Sequence, residues 1–121
     1  MVIGVFHLIS FADRLEGMKI VKKILPSGLT VVVVPMKESV SVTVDVSVRT
    51  GSFYENKETN GISHFLEHMF FKGTTTRPGT KIAHEVETFG GEINAFTSFD
   101  YTCYYINTPN DKLNLSVDIL M

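Results

Sequence analysis

Two histidines and a glutamate form the pattern His64-x-x-Glu67-His68, which is the part of the sequence best suited to chemistry. On a helix, His64 and His68 share a face, because they are four residues apart and a turn takes about 3.6 residues. Two imidazoles placed in this way can bind one Zn²⁺, with Zn–N bonds of about 2.0–2.1 Å. Glu67 then lies close enough to act on a metal-bound water. The pattern predicts a zinc site with Glu67 beside the metal-bound water but not a ligand of the metal.

The segment that carries this pattern has the apolar spacing of an amphipathic helix. Its large apolar side chains recur at i, i+3, i+4, i+7 and i+8, at Ile62, Phe65, Leu66, Met69 and Phe70. We call this set the apolar stripe. It predicts a helix with one buried side, and Gly73 supplies a helix stop. We expect the first four of these side chains, Ile62 to Met69, to pack on an alternating strand through Val42, Val44, Val46 and Val48. The alternative is an ordinary helix whose two histidines are solvated or structural.

The rest of the chain predicts an α+β domain. Segments 19–25, 29–35 and 41–49 have the composition of strands, and a Pro-Ser-Gly turn separates the first two. After the histidine-bearing helix we expect a second helix over 81–89 and two aromatic-rich strands over 93–99 and 101–108. The last segment fits a helix or a strand, and we favour a helix because Asn110 or Asp111 can cap it. The predicted order is β-β-β-α-α-β-β-α, with a sheet of about five strands and the helices on one side.

Three stretches of the sequence together resemble a known family. They are Arg-Thr-Gly-Ser-Phe-Tyr-Glu at 49–55, Asn-Gly-Ile-Ser-His-Phe-Leu-Glu-His-Met-Phe-Phe-Lys-Gly-Thr at 60–74, and Gly-Gly-Glu-Ile-Asn-Ala-Phe-Thr at 90–97. Their order and spacing resemble those of the pitrilysin-type zinc metallopeptidases, which include insulinase-like enzymes and the mitochondrial processing peptidases. His-x-x-Glu-His is the signature of the inverzincins. The resemblance extends from about residue 25 to residue 121.

The resemblance implies roles for particular residues. His64 and His68 would bind Zn²⁺, and Glu67 would be the catalytic base in peptide-bond hydrolysis. An extended peptide substrate would add as an extra strand along Asn94, Ala95 and Phe96. Without the resemblance, this last stretch is more simply interpreted as a structural strand that follows a Gly-Gly turn.

The resemblance also implies that the peptidase domain in 19–121 is an incomplete N-terminal fragment and is inactive alone. The third zinc ligand of the family, a glutamate on another helix, would lie beyond Met121. A second, related half on the same chain or on a partner chain would enclose the peptide substrate. Residues 1–18 are expected to be a disordered leader or an over-extended start.

Composition narrows the remaining classes of function. A net charge of −2 gives no reason to expect nucleic acid as a partner. The apolar N-terminal stretch is too short to span a membrane and lacks the flanks of a signal peptide, which favours a cytoplasmic protein. Cys103 is the one cysteine, so no intrachain disulfide can form. Two alternatives stay open: a non-catalytic structural member of the same family, and an unrelated α+β binding module.

Overall fold

The computed structural model describes residues 2–4 and 19–121. Within these residues the chain forms one six-stranded sheet and three α-helices, which confirms the predicted α+β class. The strands are β1 (Val2–Gly4), β2 (Val21–Ile24), β3 (Thr30–Val34), β4 (Ser41–Val48), β5 (Glu92–Thr97) and β6 (Thr102–Pro109). The helices are α1 (Ile62–Phe70), α2 (Gly79–Thr88) and α3 (Leu113–Leu120), and short 3₁₀ turns occupy Ser52–Tyr54 and Asn110–Lys112. No helix in the described part of the chain is long and apolar enough to cross a membrane.

The strands lie in the order β2-β3-β1-β4-β6-β5, so β2 and β5 form the two edges. All neighbours are antiparallel except β1 and β4, which run parallel. The sequence predicted about five strands, and the sixth is β1, which comes from the segment expected to be a disordered leader. Three residues are too few to show a periodicity, but Ile3 pairs with Val33 on one side and with Val44 on the other. The rest of the predicted leader lies outside the described residues.

The hydrophobic core lies between one face of the sheet and helices α2 and α3. Strand β4 alternates as predicted, with Val42 and Val44 buried in this core. The strand register places Val44, Ile106 and Ile93 side by side on this face. The buried cluster consists of Val42, Val44, Ile82, Val86, Ile106, Ile119 and Leu120. All three helices contact the same face of the sheet. Helix α1 does so through Thr97, which lies four residues from Ile93 along β5 and therefore on the same face, since side chains alternate along a strand.

The predicted packing of α1 on the valines of β4 is wrong. Four side chains of the apolar stripe are 44–60% exposed: Ile62, Phe65, Leu66 and Met69. The side of α1 that faces the sheet instead carries Ser63 and Glu67, which are 2% and 8% exposed. Helices α2 and α3 cover Val42 and Val44, and Val48 at the end of β4 is exposed. Hydrogen bonds to the sheet orient α1, and apolar periodicity does not reveal them.

Candidate metal centre

Helix α1 brings the two histidines of the predicted zinc site together. The ring centroids of His64 and His68 are 4.5 Å apart, and the ring planes are inclined by 60°. Both side chains are exposed on the surface of the helix. Imidazole nitrogens are preferred zinc ligands, and this separation allows one ion to contact both rings. The donor chemistry of the pair therefore fits a zinc ion.

The described part of the chain contains no group of three or more His, Cys, Asp or Glu side chains that could hold a metal ion. Glu67 lies one residue before His68 but is buried against the sheet. Its carboxylate therefore does not join the two imidazoles as a third metal ligand. Asp45, another carboxylate in the described part of the chain, does not face the histidine pair. It is instead used on β4 and β6, where it accepts hydrogen bonds from Ser47 Oγ at 2.9 Å and Cys103 Sγ at 3.0 Å. Burial and this aspartate raise the pKa of Cys103 to about 12, so the thiol is inert.

The carboxylate of Glu67 is hydrogen-bonded to the sheet. Thr97 Oγ1, at the end of β5, donates a hydrogen bond to Glu67 Oε2 at 2.5 Å. Tyr104 lies on the same face of the sheet. Burial and, secondarily, the nearby Glu67 carboxylate raise the pKa of Tyr104, which keeps this phenol neutral. Glu67 therefore lies where α1 meets β5 and β6, with one oxygen fixed by a hydroxyl group.

The N-terminus of α1 is capped by a residue that the sequence analysis did not single out. Its N-cap is Gly61, with a φ of 87°, and glycine has no side chain to accept hydrogen bonds from the first turn. Glu55 supplies the acceptors: Oε2 accepts from Gly61 N at 2.6 Å and Oε1 accepts from Ser63 N at 2.9 Å. These backbone hydrogen bonds hold the pKa of Glu55 below its usual value. The motif at 49–55 thus fixes the start of the histidine-bearing helix.

The three residues predicted to bind substrate lie on the edge strand β5. Asn94 and Phe96 are exposed on the face of the sheet away from the helices, and Ala95 between them is partly buried. Among the strands that the structure describes, β5 pairs with β6 alone, so its other side forms an edge of this sheet. The structure thus places these residues on one strand with Thr97, whose hydroxyl contacts Glu67.

Known proteins are similar in sequence to the larger part of this chain. The family model described as Insulinase (Peptidase family M16) matches residues 30–121. An uncharacterized zinc protease of Bacillus subtilis, YmxG, is 51% identical over 80 residues, which cover 66% of this chain and 20% of that protein. A probable mitochondrial-processing peptidase subunit beta of Arabidopsis thaliana is 42% identical over 96 residues, covering 79% of this chain and 18% of that protein.

A solved structure agrees with this match. The crystal structure of a protease from Helicobacter pylori superposes with a TM-score of 0.80 at 38% sequence identity. The superposed region covers 84% of this chain and 25% of the Helicobacter pylori chain. The chain therefore spans about a fifth to a quarter of the length of these relatives.

Proposed function

Because the chain belongs to the insulinase family (peptidase family M16), we propose that it is the N-terminal part of a zinc metalloendopeptidase. The observation that carries the proposal is the pair of imidazoles on α1, whose ring centroids are 4.5 Å apart, on the same helix as the buried Glu67. Membership of the family removes the alternative of an unrelated α+β binding module. The chain spans only part of its relatives, so the activity proposed is that of the whole protein.

His64 and His68 would bind the metal as neutral imidazoles. When bound, zinc supplies an activated water and polarises the scissile carbonyl. Glu67 takes a proton from the attacking water and then delivers it to the leaving amine, which needs a carboxylate that alternates between its charged and protonated forms. Thr97 contacts Oε2 of this carboxylate, so Oε1 would be the oxygen that takes part in the transfer.

The peptide substrate would bind along the edge strand β5. An extended peptide can add to a sheet edge by backbone hydrogen bonds, with side chains alternating between the two faces. Asn94, Ala95 and Phe96 form the middle of this edge, and Thr97 at its end touches Glu67. A peptide laid along β5 would therefore pass beside the proposed catalytic base.

The proposed site draws on parts beyond this chain. A catalytic zinc site holds three protein ligands and one open position, and α1 supplies two. We propose that the third is a glutamate carried after Met121 and that a related half, on the same or a partner chain, closes over the peptide. The 121-residue chain alone would then be inactive.

The test compares the protein at its full natural length, with its partner half, with the Glu67→Gln variant. We expect the parent to bind zinc and to cleave peptides in a chelator-sensitive way, and the variant to keep its zinc and lose cleavage. His64→Gln should lower the zinc content, whereas His84→Gln, on the exposed side of α2, is the matched control and should not. Equal cleavage by parent and Glu67→Gln would remove Glu67 as the base. Bound zinc without cleavage by the parent would favour the non-catalytic alternative.

A further inference from the structure

The contact between Thr97 and Glu67 joins the edge strand to the proposed catalytic base. The two oxygens are 2.5 Å apart, although the residues are 30 positions apart in the chain. We propose that Thr97 is a positioning residue, whose hydroxyl fixes the orientation of the Glu67 carboxylate for proton transfer. The inference rests on the proposed role of Glu67 as the base.

The direction of this hydrogen bond follows from the chemistry of its two groups. An ionised carboxylate only accepts, so Thr97 must use its single hydroxyl proton for the bond to Glu67. Bonds from a hydroxyl to a carboxylate are short, at about 2.5–2.7 Å, and stronger than bonds between neutral groups. Because Glu67 is only 8% exposed, water has little access to replace a lost hydroxyl. Loss of the Thr97 hydroxyl would thus leave Oε2 without its partner.

Thr97 is in turn held by the sheet. It lies opposite Thr102 in the register of β5 and β6, and the two hydroxyl oxygens are 3.5 Å apart. Thr102 is fully buried and donates to the carbonyl oxygen of Thr50 at 3.1 Å. The Thr50 hydroxyl lies 3.3 Å from the hydroxyl of Ser63 on α1. Thr97, Thr102, Thr50 and Ser63 thus connect the sheet to the buried side of α1.

A purely structural role of Thr97 makes different predictions from a positioning role. If Thr97 only anchors α1, its removal should shift the whole helix and weaken zinc binding through His64 and His68. If it positions Glu67, its removal should slow the chemical step and leave the histidine pair and peptide binding unchanged. Measurements of kcat, KM and zinc affinity therefore distinguish the two roles.

The first experiment uses the full-length protein and the variants Thr97→Val and Thr97→Ser. General acid–base catalysis contributes about 10²–10⁴-fold to the rate, and misorienting the base without removing it should lose part of this, about 10–100-fold. We expect a kcat loss of that size in Thr97→Val, with KM and zinc affinity unchanged, and recovery of most of the rate in Thr97→Ser, which keeps the hydroxyl. The matched control is Thr108→Val, which removes another buried strand hydroxyl, bonded to Ser116 at 2.9 Å. It should lower the unfolding midpoint without lowering kcat.

The second experiment is a double-mutant cycle on the metal-free protein, with Thr97→Val, Glu67→Gln and both together. Residues in contact show non-additive effects on the unfolding equilibrium, and we expect a coupling on the order of tenfold. Additive effects, a parallel loss of zinc affinity in Thr97→Val, or no rescue in Thr97→Ser would each overturn the positioning role. Failure of the parent to show zinc-dependent cleavage would instead overturn the proposed function, and the role of Thr97 with it, whatever the cycle gives.

Discussion

Glu55 accepts a hydrogen bond from the backbone N–H of Ser63 at 2.9 Å, directly before the first histidine of the proposed zinc site. Its second oxygen accepts from Gly61 N at 2.6 Å, so one carboxylate satisfies two of the N–H groups that a helix leaves unpaired at its start. A negative charge at this end also interacts favourably with the helix dipole. The geometry of the histidine pair therefore depends on a residue outside α1.

Replacing Glu55 with alanine should loosen the first turn of α1. Both acceptors are removed, and Gly61 has no side chain to replace them. We expect faster amide hydrogen exchange at Gly61 and Ser63, with exchange in α2 unchanged. Glu55→Gln keeps one carbonyl oxygen and should lie between the two. Unchanged exchange in Glu55→Ala would show that solvent satisfies these N–H groups equally well.

The Glu55 cap should weaken in acid. Its folded-state pKa lies below the ordinary 4.5, mainly because the carboxylate accepts from Gly61 N, so the bonds favour folding above about pH 4.5. This contribution is lost as pH falls through the lowered folded pKa. The amide chemical shifts of Gly61 and Ser63, followed by NMR, should titrate with a midpoint below 4.5. In Glu55→Gln the same titration should disappear, and its persistence would assign the shifts to another group.

Apolar spacing identified α1 but did not show which way it faces. The stripe correctly predicted a helix, and the spacing of His64 and His68 correctly predicted that they share a face. Which side meets the sheet depends on the hydrogen bond that Glu67 accepts from Thr97, 30 residues later, and on the one between the hydroxyls of Ser63 and Thr50. Contacts so distant in sequence leave no periodic signal. Glu55 was missed for a related reason, because it caps α1 from six residues before Gly61, outside the usual capping patterns.

The four exposed residues of the apolar stripe lead to a prediction about the stability of the 121-residue chain. Leu66 is half exposed, so Leu66→Ala should change the free energy of unfolding by no more than about 0.5 kcal/mol. Ile106→Ala should cost about 2–5 kcal/mol, because Ile106 is fully buried between β4, β5 and the helices. Urea denaturation of both variants measures the difference. A Leu66→Ala loss as large as that of Ile106→Ala would mean that another surface covers the stripe in solution.

The last prediction concerns zinc held by the histidine pair alone. In the 121-residue chain, His64 and His68 are the two donors that α1 supplies, and a third protein ligand would strengthen binding by adding a bond and restricting the ion's position. We therefore expect the chain to bind zinc more weakly than the full-length protein and to release it to a milder chelator. His64→Ala should abolish the residual binding in the short chain, whereas His84→Ala should leave it unchanged, since His84 lies on α2 and contacts Thr88. Competition with a chromogenic chelator gives both affinities. Equal affinity in the short and full-length proteins would show that the remainder of the protein adds no ligand, which would contradict the proposed three-ligand site.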